Sequence, residues 1–211
     1  MYRLINRNAP AVAQALGRIG DLGEYLLLRT DLVSHGKAVA PPELQRAYRK
    51  YWRMNVARLA PSFYQQYFAL LAEYQAAGST DVERATRVIS GPGGADYGLQ
   101  FSFATKLVHM VDPRVPVFDS FVASFYFFTP PATDRPFEER LSALLSFHRF
   151  LTFEYARVLE HRLLAPAIKV LRSDRRLTAS VPDERLIDWL LWAWVSLLRQ
   201  GAQFRGEAMY D

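Results

Sequence analysis

The chain contains no cysteine. Disulfides, thiolate zinc sites, iron–sulfur clusters and a cysteine nucleophile are excluded together. Lysine is almost as scarce. Of 26 basic residues among 211, only Lys37, Lys50, Lys106 and Lys169 are lysines; the others are arginines. Arginine contacts phosphate through two parallel hydrogen bonds and stacks on flat rings, which suits nucleic acid. A GC-rich coding sequence produces the same bias, and composition alone does not separate the two readings. Either way, a lysine inside an apolar run stands out. Long hydrophobic runs are also missing. The most apolar stretch, Leu186 to Leu198, is only about 13 residues long and contains Asp188, whereas a bilayer span needs roughly 20. The segment Met1 to Asn8 carries Arg3 and Arg7, and no continuous apolar run follows it before Gly17 and Asp21. The expectation is a soluble protein of a reducing, cytoplasmic compartment, with no targeting segment and no membrane partner.

What is present points to a folded, helical protein. Hydrophobic residues make up 50% and aromatics 14% of the chain, too apolar for disorder and long enough to bury a substantial core. The net charge of +5 permits an acidic partner such as DNA. Phe63, Tyr67, Leu70, Leu71 and Tyr74 fall on one helical face. Pro61 and Ser62 open that helix and Gly78 closes it. Leu141, Leu144, Leu145, His148, Leu151, Tyr155, Val158 and Leu159 repeat the pattern over a longer helix, which Pro166 should kink or restart. Further helices are predicted over roughly 11–35 (interrupted near Gly17, Gly20 and Gly23), 42–56, 81–89 and 186–198. No sustained period-2 run appears. The predicted fold is all-α, about eight helices in a single domain over 1–211. The proline-rich segment 129–136 is the candidate boundary between two lobes around a cleft.

The segment from Leu99 to Tyr126 carries the most chemistry. Phe103, Leu107 and Met110 form a buried helix face, and Lys106 lies beside it. A partly desolvated ammonium has a lowered pKa and can act as an amine nucleophile. The competing reading is a lysine that buries its stem and keeps its head in water. Pro113 and Pro116 then force an extended connection. Asp119 opens the next helix as an N-cap, where a carboxylate is stabilised as the anion. Capping alone explains an Asp at that position. It would also aim an ionised group into a cleft.

Lys106 on one helix, a proline-bearing linker and Asp119 heading the next helix together resemble the helix–hairpin–helix DNA glycosylase superfamily. Ala104-Thr105-Lys106 and Phe118-Asp119-Ser120-Phe121-Val122 are similar to the 8-oxoguanine DNA glycosylase branch. Phe-Ser-Phe-Ala-Thr-Lys-Leu with Pro-Val-Phe-Asp-Ser also resembles a family of bacterial proteins with an 8-oxoguanine glycosylase-like fold. Tyr51-Trp52-Arg53-Met54 and Ile187-Asp188-Trp189-Leu190-Leu191-Trp192 extend that similarity across most of the chain. The resemblance implies a DNA glycosylase and abasic-site lyase that removes a damaged or modified base through a Schiff base on Lys106. Asp119 would take the lysine proton or stabilise the cationic sugar. Phe101, Phe103, Phe118 and Phe121 would wall the base pocket, with His109 beside the lysine. The turn over Asp96–Ser102 holds one glycine, Gly98, where characterised members carry a Leu-Pro-Gly-Val-Gly-like phosphate-binding turn. That departure supports a second reading: a non-catalytic nucleic-acid- or protein-binding module in which Lys106 and Asp119 form a structural ion pair.

Two other features bear on partners. Arg46, Arg49, Lys50 and Arg53 share one helical face, interleaved with Tyr48, Tyr51 and Trp52. They could track a phosphate backbone or form a solvated face. Arg172, Arg175 and Arg176 form a second basic cluster at a helix C-terminus. The tryptophans at 189, 192 and 194 are expected in the core or on a dimer face. No pair of histidines has metal-ligand spacing with a carboxylate on the same face, so no catalytic metal is expected; no cofactor is expected either.

Overall fold

The computed structural model of the chain describes residues 1–19, 22–36, 38–174, 177 and 181–201. Among these the architecture is helical throughout, with no strand. Eleven α-helices run in order: α1 Tyr2–Arg7, α2 Ala9–Ile19, α3 Leu22–His35, α4 Pro42–Tyr51, α5 Pro61–Ala77, α6 Val82–Ser90, α7 Phe101–Val111, α8 Ser120–Phe125, α9 Phe137–Glu160, α10 Ala165–Arg172 and α11 Asp183–Arg199. The all-α expectation holds. The count exceeds eight because the short α1 is too brief to show a periodicity, and because predicted single helices are broken.

Two of these breaks have a local cause among the described residues. The stretch predicted over 11–35 divides into α2 and α3. The stretch predicted over 42–56 stops at Tyr51. There Arg53 and Arg58 both adopt positive φ, at 53° and 50°, on either side of a 3₁₀ turn over Met54–Ala57. Non-glycine residues seldom occupy that region, and it cannot continue a right-handed helix. The long α9 ends at Glu160, and the chain restarts as α10 with Pro166 in its first turn, where the missing N–H costs nothing.

The helix ends otherwise follow the sequence signals. Pro61 opens α5, and Gly78 closes it in the left-handed conformation, φ 61°. Asp81 caps α6 by accepting from Arg84 N–H at 2.8 Å. Asp183 and Glu184 sit in the first turn of α11 and Arg199 in its last, both favourable to the helix dipole.

α11 is the central strut. Leu186, Ile187, Leu190, Leu191 and Ala193 are fully buried, and the helix packs against α2, α8, α9 and α10. Trp189 and Trp194 belong to this core, while Trp192 is half-buried. On the other side α6 and α7 pack together as a helical hairpin, with α5 against α7. Buried apolar residues before and after the 129–136 loop join one continuous core. Among the described residues, no helix is long and apolar enough to cross a membrane.

Leu190 lies at the middle of this core with no exposed surface. Leu190→Ala is expected to lower the unfolding free energy by about 2–5 kcal/mol, read as a shifted urea midpoint with an unchanged m-value.

Candidate functional site

Lys106 projects from α7 beside the face formed by Phe103, Leu107 and Met110, all buried as the spacing predicts. Its Nζ lies 5.3 Å from the Phe103 ring centre and 5.9 Å from that of Trp52. Among the described residues the one hydrogen bond it donates is long, 3.4 Å to the Trp52 carbonyl. Burial holds the amine below its usual pKa; the Asp119 charge opposes this, and Arg53 reinforces it. Among the described residues no carboxylate reaches ion-pair distance of Nζ. The structural ion pair between Lys106 and Asp119 is therefore not formed.

Asp119 caps α8 as expected. Its Oδ1 accepts from Phe121 N–H at 2.8 Å and Val122 N–H at 2.9 Å. Oδ2 takes no hydrogen bond from the described residues. One oxygen thus anchors the carboxylate, and the other stays available.

The connection between the two residues is held by side chains. Contrary to the expectation, the connection is not extended from its start: Val115 N–H donates to the Asp112 carbonyl at 3.0 Å and closes a turn. The buried polar groups that follow need other partners. His109 Nδ1 donates to the Val115 carbonyl at 2.8 Å, and His148 Nε2 donates to the Pro116 carbonyl at 2.9 Å. Val117 N–H donates to Asp188 Oδ2 at 3.3 Å, and Phe118 N–H to Thr105 Oγ1 at 3.1 Å. Four consecutive residues each receive a buried side-chain partner, from α7, α9 and α11. Both imidazoles are buried, and burial pushes their pKa values down, so they stay neutral. At His109 the Tyr25 hydroxyl completes the arrangement, 3.1 Å from Nε2.

Lys106 and Asp119 face a cavity of about 540 Å³, within the range of small-ligand sites. Trp52, Phe121 and Trp192 contribute aromatic walls, and Lys50 and Arg53 bring cationic groups. Phe121 and Trp192 lie 5.2 Å apart, ring to ring, and the Arg53 guanidinium is 5.4 Å from the Trp192 ring. Arg185 and Asp188 also line the cavity. The Arg185 guanidinium is enclosed by Tyr25 and Trp189, each at 4.6 Å, and by Trp52 at 5.2 Å. It donates to the Tyr51 hydroxyl at 2.9 Å and approaches Asp188 Oδ2 at 3.7 Å. Burial raises the Asp188 carboxyl to about 7, against the opposing charge of Arg185. Tyr155 donates to its Oδ1 at 2.5 Å.

Of the residues singled out in the sequence, Lys106, Asp119, Phe121, Lys50 and Arg53 meet at this cavity. Phe101, Phe103 and Phe118 do not line it. Phe101 packs against Phe118 at 5.4 Å, Phe103 against Phe63 at 5.7 Å, and Phe118 against Phe147 at 5.9 Å. All three are core residues. His109 sits behind Trp52, 5.9 Å ring to ring, and has no exposed surface. Arg46 pairs with Glu43 at the surface, and Arg49 stacks 3.7 Å over the Tyr64 ring. The basic strip is thus divided between surface, ring stacking and cavity. Gly98 has φ 69° in the turn between α6 and α7, away from the cavity. Arg172 is held by Asp183 and the Val181 carbonyl, and Arg175 and Arg176 lie outside the described residues. Sequence reasoning missed Arg185 and Trp192 as site residues. The signal for Arg185 and Asp188 was a charged pair, three apart, one just before and one inside the most apolar stretch. Among the described residues no cluster of histidines and carboxylates could hold a metal ion.

Compared with protein-family models, curated proteins and solved structures, the chain matches none.

A lysine held below its usual pKa of 10.5 destabilises the fold while it is charged. The penalty is full below the folded-state pKa and fades as pH rises from there towards 10.5. Lys106→Met is expected to raise Tm at pH 7, by about 2–4 °C for each kcal/mol of penalty removed. The gain should shrink in alkaline melts. A Tm equal to or below wild type at pH 7 would contradict a desolvated amine.

Proposed function

We propose that the chain removes a damaged or modified base from nucleic acid, as a glycosylase and abasic-site lyase with Lys106 as the nucleophile and Asp119 as its base. The observation that carries this reading is Lys106 opening onto a cavity with no ion-pair partner among the described residues, together with a carboxylate on the same cavity, one of whose oxygens takes no hydrogen bond from them. A structural lysine would be paired and closed off.

The chemistry follows from those two groups. The base leaves its stack to reach the cavity. Asp119 takes a proton from the Lys106 ammonium. The Nζ lone pair bonds to C1′ of the sugar as the C1′–N bond breaks, and the departing base keeps that bonding pair. Asp119 returns its proton to the departed base. One Nζ proton passes to O4′ as the C1′–O4′ bond opens to the protonated Schiff base. Asp119 then takes the C2′ proton and the 3′ phosphate leaves. Trp52, Phe121 and Trp192 offer faces for the base. Lys50 and Arg53 offer charge to a flanking phosphate.

Borohydride trapping tests this directly. Oligonucleotides carrying 8-oxoguanine, uracil, hypoxanthine, an alkylated purine or an abasic site are incubated with wild type, Lys106→Ala and Asp119→Asn. A covalent adduct is expected with wild type on at least one modified base, and none with Lys106→Ala. Asp119→Asn should slow its formation by roughly 10²-fold or more. An adduct on the abasic site alone would reduce the reading to lyase chemistry. No adduct on any substrate would favour the second reading, a non-catalytic nucleic-acid- or protein-binding module.

A further inference from the structure

One hydroxyl joins the chain neighbours of the two candidate reacting residues. Thr105 precedes Lys106, and Phe118 precedes Asp119. Thr105 Oγ1 accepts from Phe118 N–H at 3.1 Å and donates to the Ser102 carbonyl at 3.0 Å. A helical threonine commonly turns its hydroxyl onto a carbonyl of its own helix. Here the same oxygen also takes a donor from another segment, and the side chain has no exposed surface. Valine would fill the same space and could do neither. The Phe118 amide would then be left buried without an acceptor.

The bond lies where it controls geometry. On one side, α7 carries Lys106 one residue further on. On the other, the Asp119 carboxylate is anchored to the first turn of α8 through Oδ1. Between the two prolines the chain is tied back to the end of α7 by Val115 N–H on the Asp112 carbonyl at 3.0 Å, but among the described residues the Val117 and Phe118 amides make no backbone pairing. The charged groups acting on Lys106 are Asp119 from the α8 cap and Arg53 from the turn after α4. Arg185 and Asp188 of α11 line the same cavity.

We propose that Thr105 is a positioning residue: its hydroxyl holds the Phe118 amide and so sets the separation between the Lys106 amine and the Asp119 carboxylate. The proposal rests on reading these two as the reacting pair, but its test requires no nucleic acid. The full chain is labelled with limiting acetic anhydride across a pH series, and acetylation is followed on the peptide that contains Lys106. The wild-type midpoint is expected below 10.5. Asp119→Asn should move it lower, because the carboxylate that favours the ammonium is gone. Thr105→Val and Thr105→Ala should move it in the same direction by at least about half a unit, a part of the roughly 1–3 units that a nearby opposite charge supplies. Thr105→Ser, which keeps the hydroxyl, should titrate as wild type does.

A Thr105→Val or Thr105→Ala midpoint equal to wild type overturns the proposal. So does an Asp119→Asn midpoint that does not move, or a Thr105→Ser shift as large as that of Thr105→Val. Should the variants lose their fold by circular dichroism, amide exchange on the wild-type chain serves instead. Phe118 N–H is expected among the protected amides, and rapid exchange there overturns the proposal. Absence of a borohydride adduct would defeat the glycosylase reading and leave these shifts in place, so the two failures are distinguishable.

Discussion

Four buried side chains hold the extended segment 115–118, and the candidate site depends on that clamp. Prolines at 113 and 116 prevent this stretch from joining a helix. Its carbonyls and amides are nevertheless inside the protein, where an unpaired polar group costs about 1–3 kcal/mol. Thr105, His109, His148 and Asp188 each satisfy one of them. A connection that would otherwise be free to move becomes part of the core. Asp119 emerges from it at a defined height above α7, already anchored to the start of α8.

The clamp also explains why so much polarity is buried near one cavity. His109, His148 and Thr105 each donate to a backbone carbonyl, and the Tyr25 hydroxyl meets the other nitrogen of His109. Arg185 is sheathed in aromatic rings and set against Asp188. Buried ionic pairs are weak contributors to stability, because desolvation opposes their attraction. Their concentration beside Lys106 fits a site better than it fits a core built for stability. A desolvated amine and a carboxyl raised by burial facing the same space form the kind of arrangement that active sites use.

The parts of the site legible in the sequence were those with local causes. Lys106 stood out because an apolar stripe surrounds it and lysine is rare in this chain. Asp119 stood out because a proline linker followed by Asp-Ser is a helix start. Phe121 followed from its place beside Asp119, and Lys50 and Arg53 from a basic strip at helical spacing. Phe101, Phe103 and Phe118 were expected at the same pocket and are core instead. An aromatic residue near a site in sequence fits either place equally, and only the direction of its side chain separates them. Arg185 and Trp192 escaped because they come from α11, 79 and 86 residues beyond the lysine. Nothing in a helical period says which distant helix completes a wall.

Composition and periodicity by themselves determined the helical class, most helix positions, the absence of thiol chemistry, and the Lys–linker–Asp unit that brings an amine and a carboxylate near each other. All of these depend on residues within a few turns of one another. Tertiary structure alone decided that the lysine has no ion-pair partner among the described residues, that α11 supplies a charged and aromatic wall, and that side chains from three helices clamp the linker. Those features are contacts between segments far apart in the chain. They are set by how the apolar faces of several helices pack around one core, and no local pattern encodes that packing.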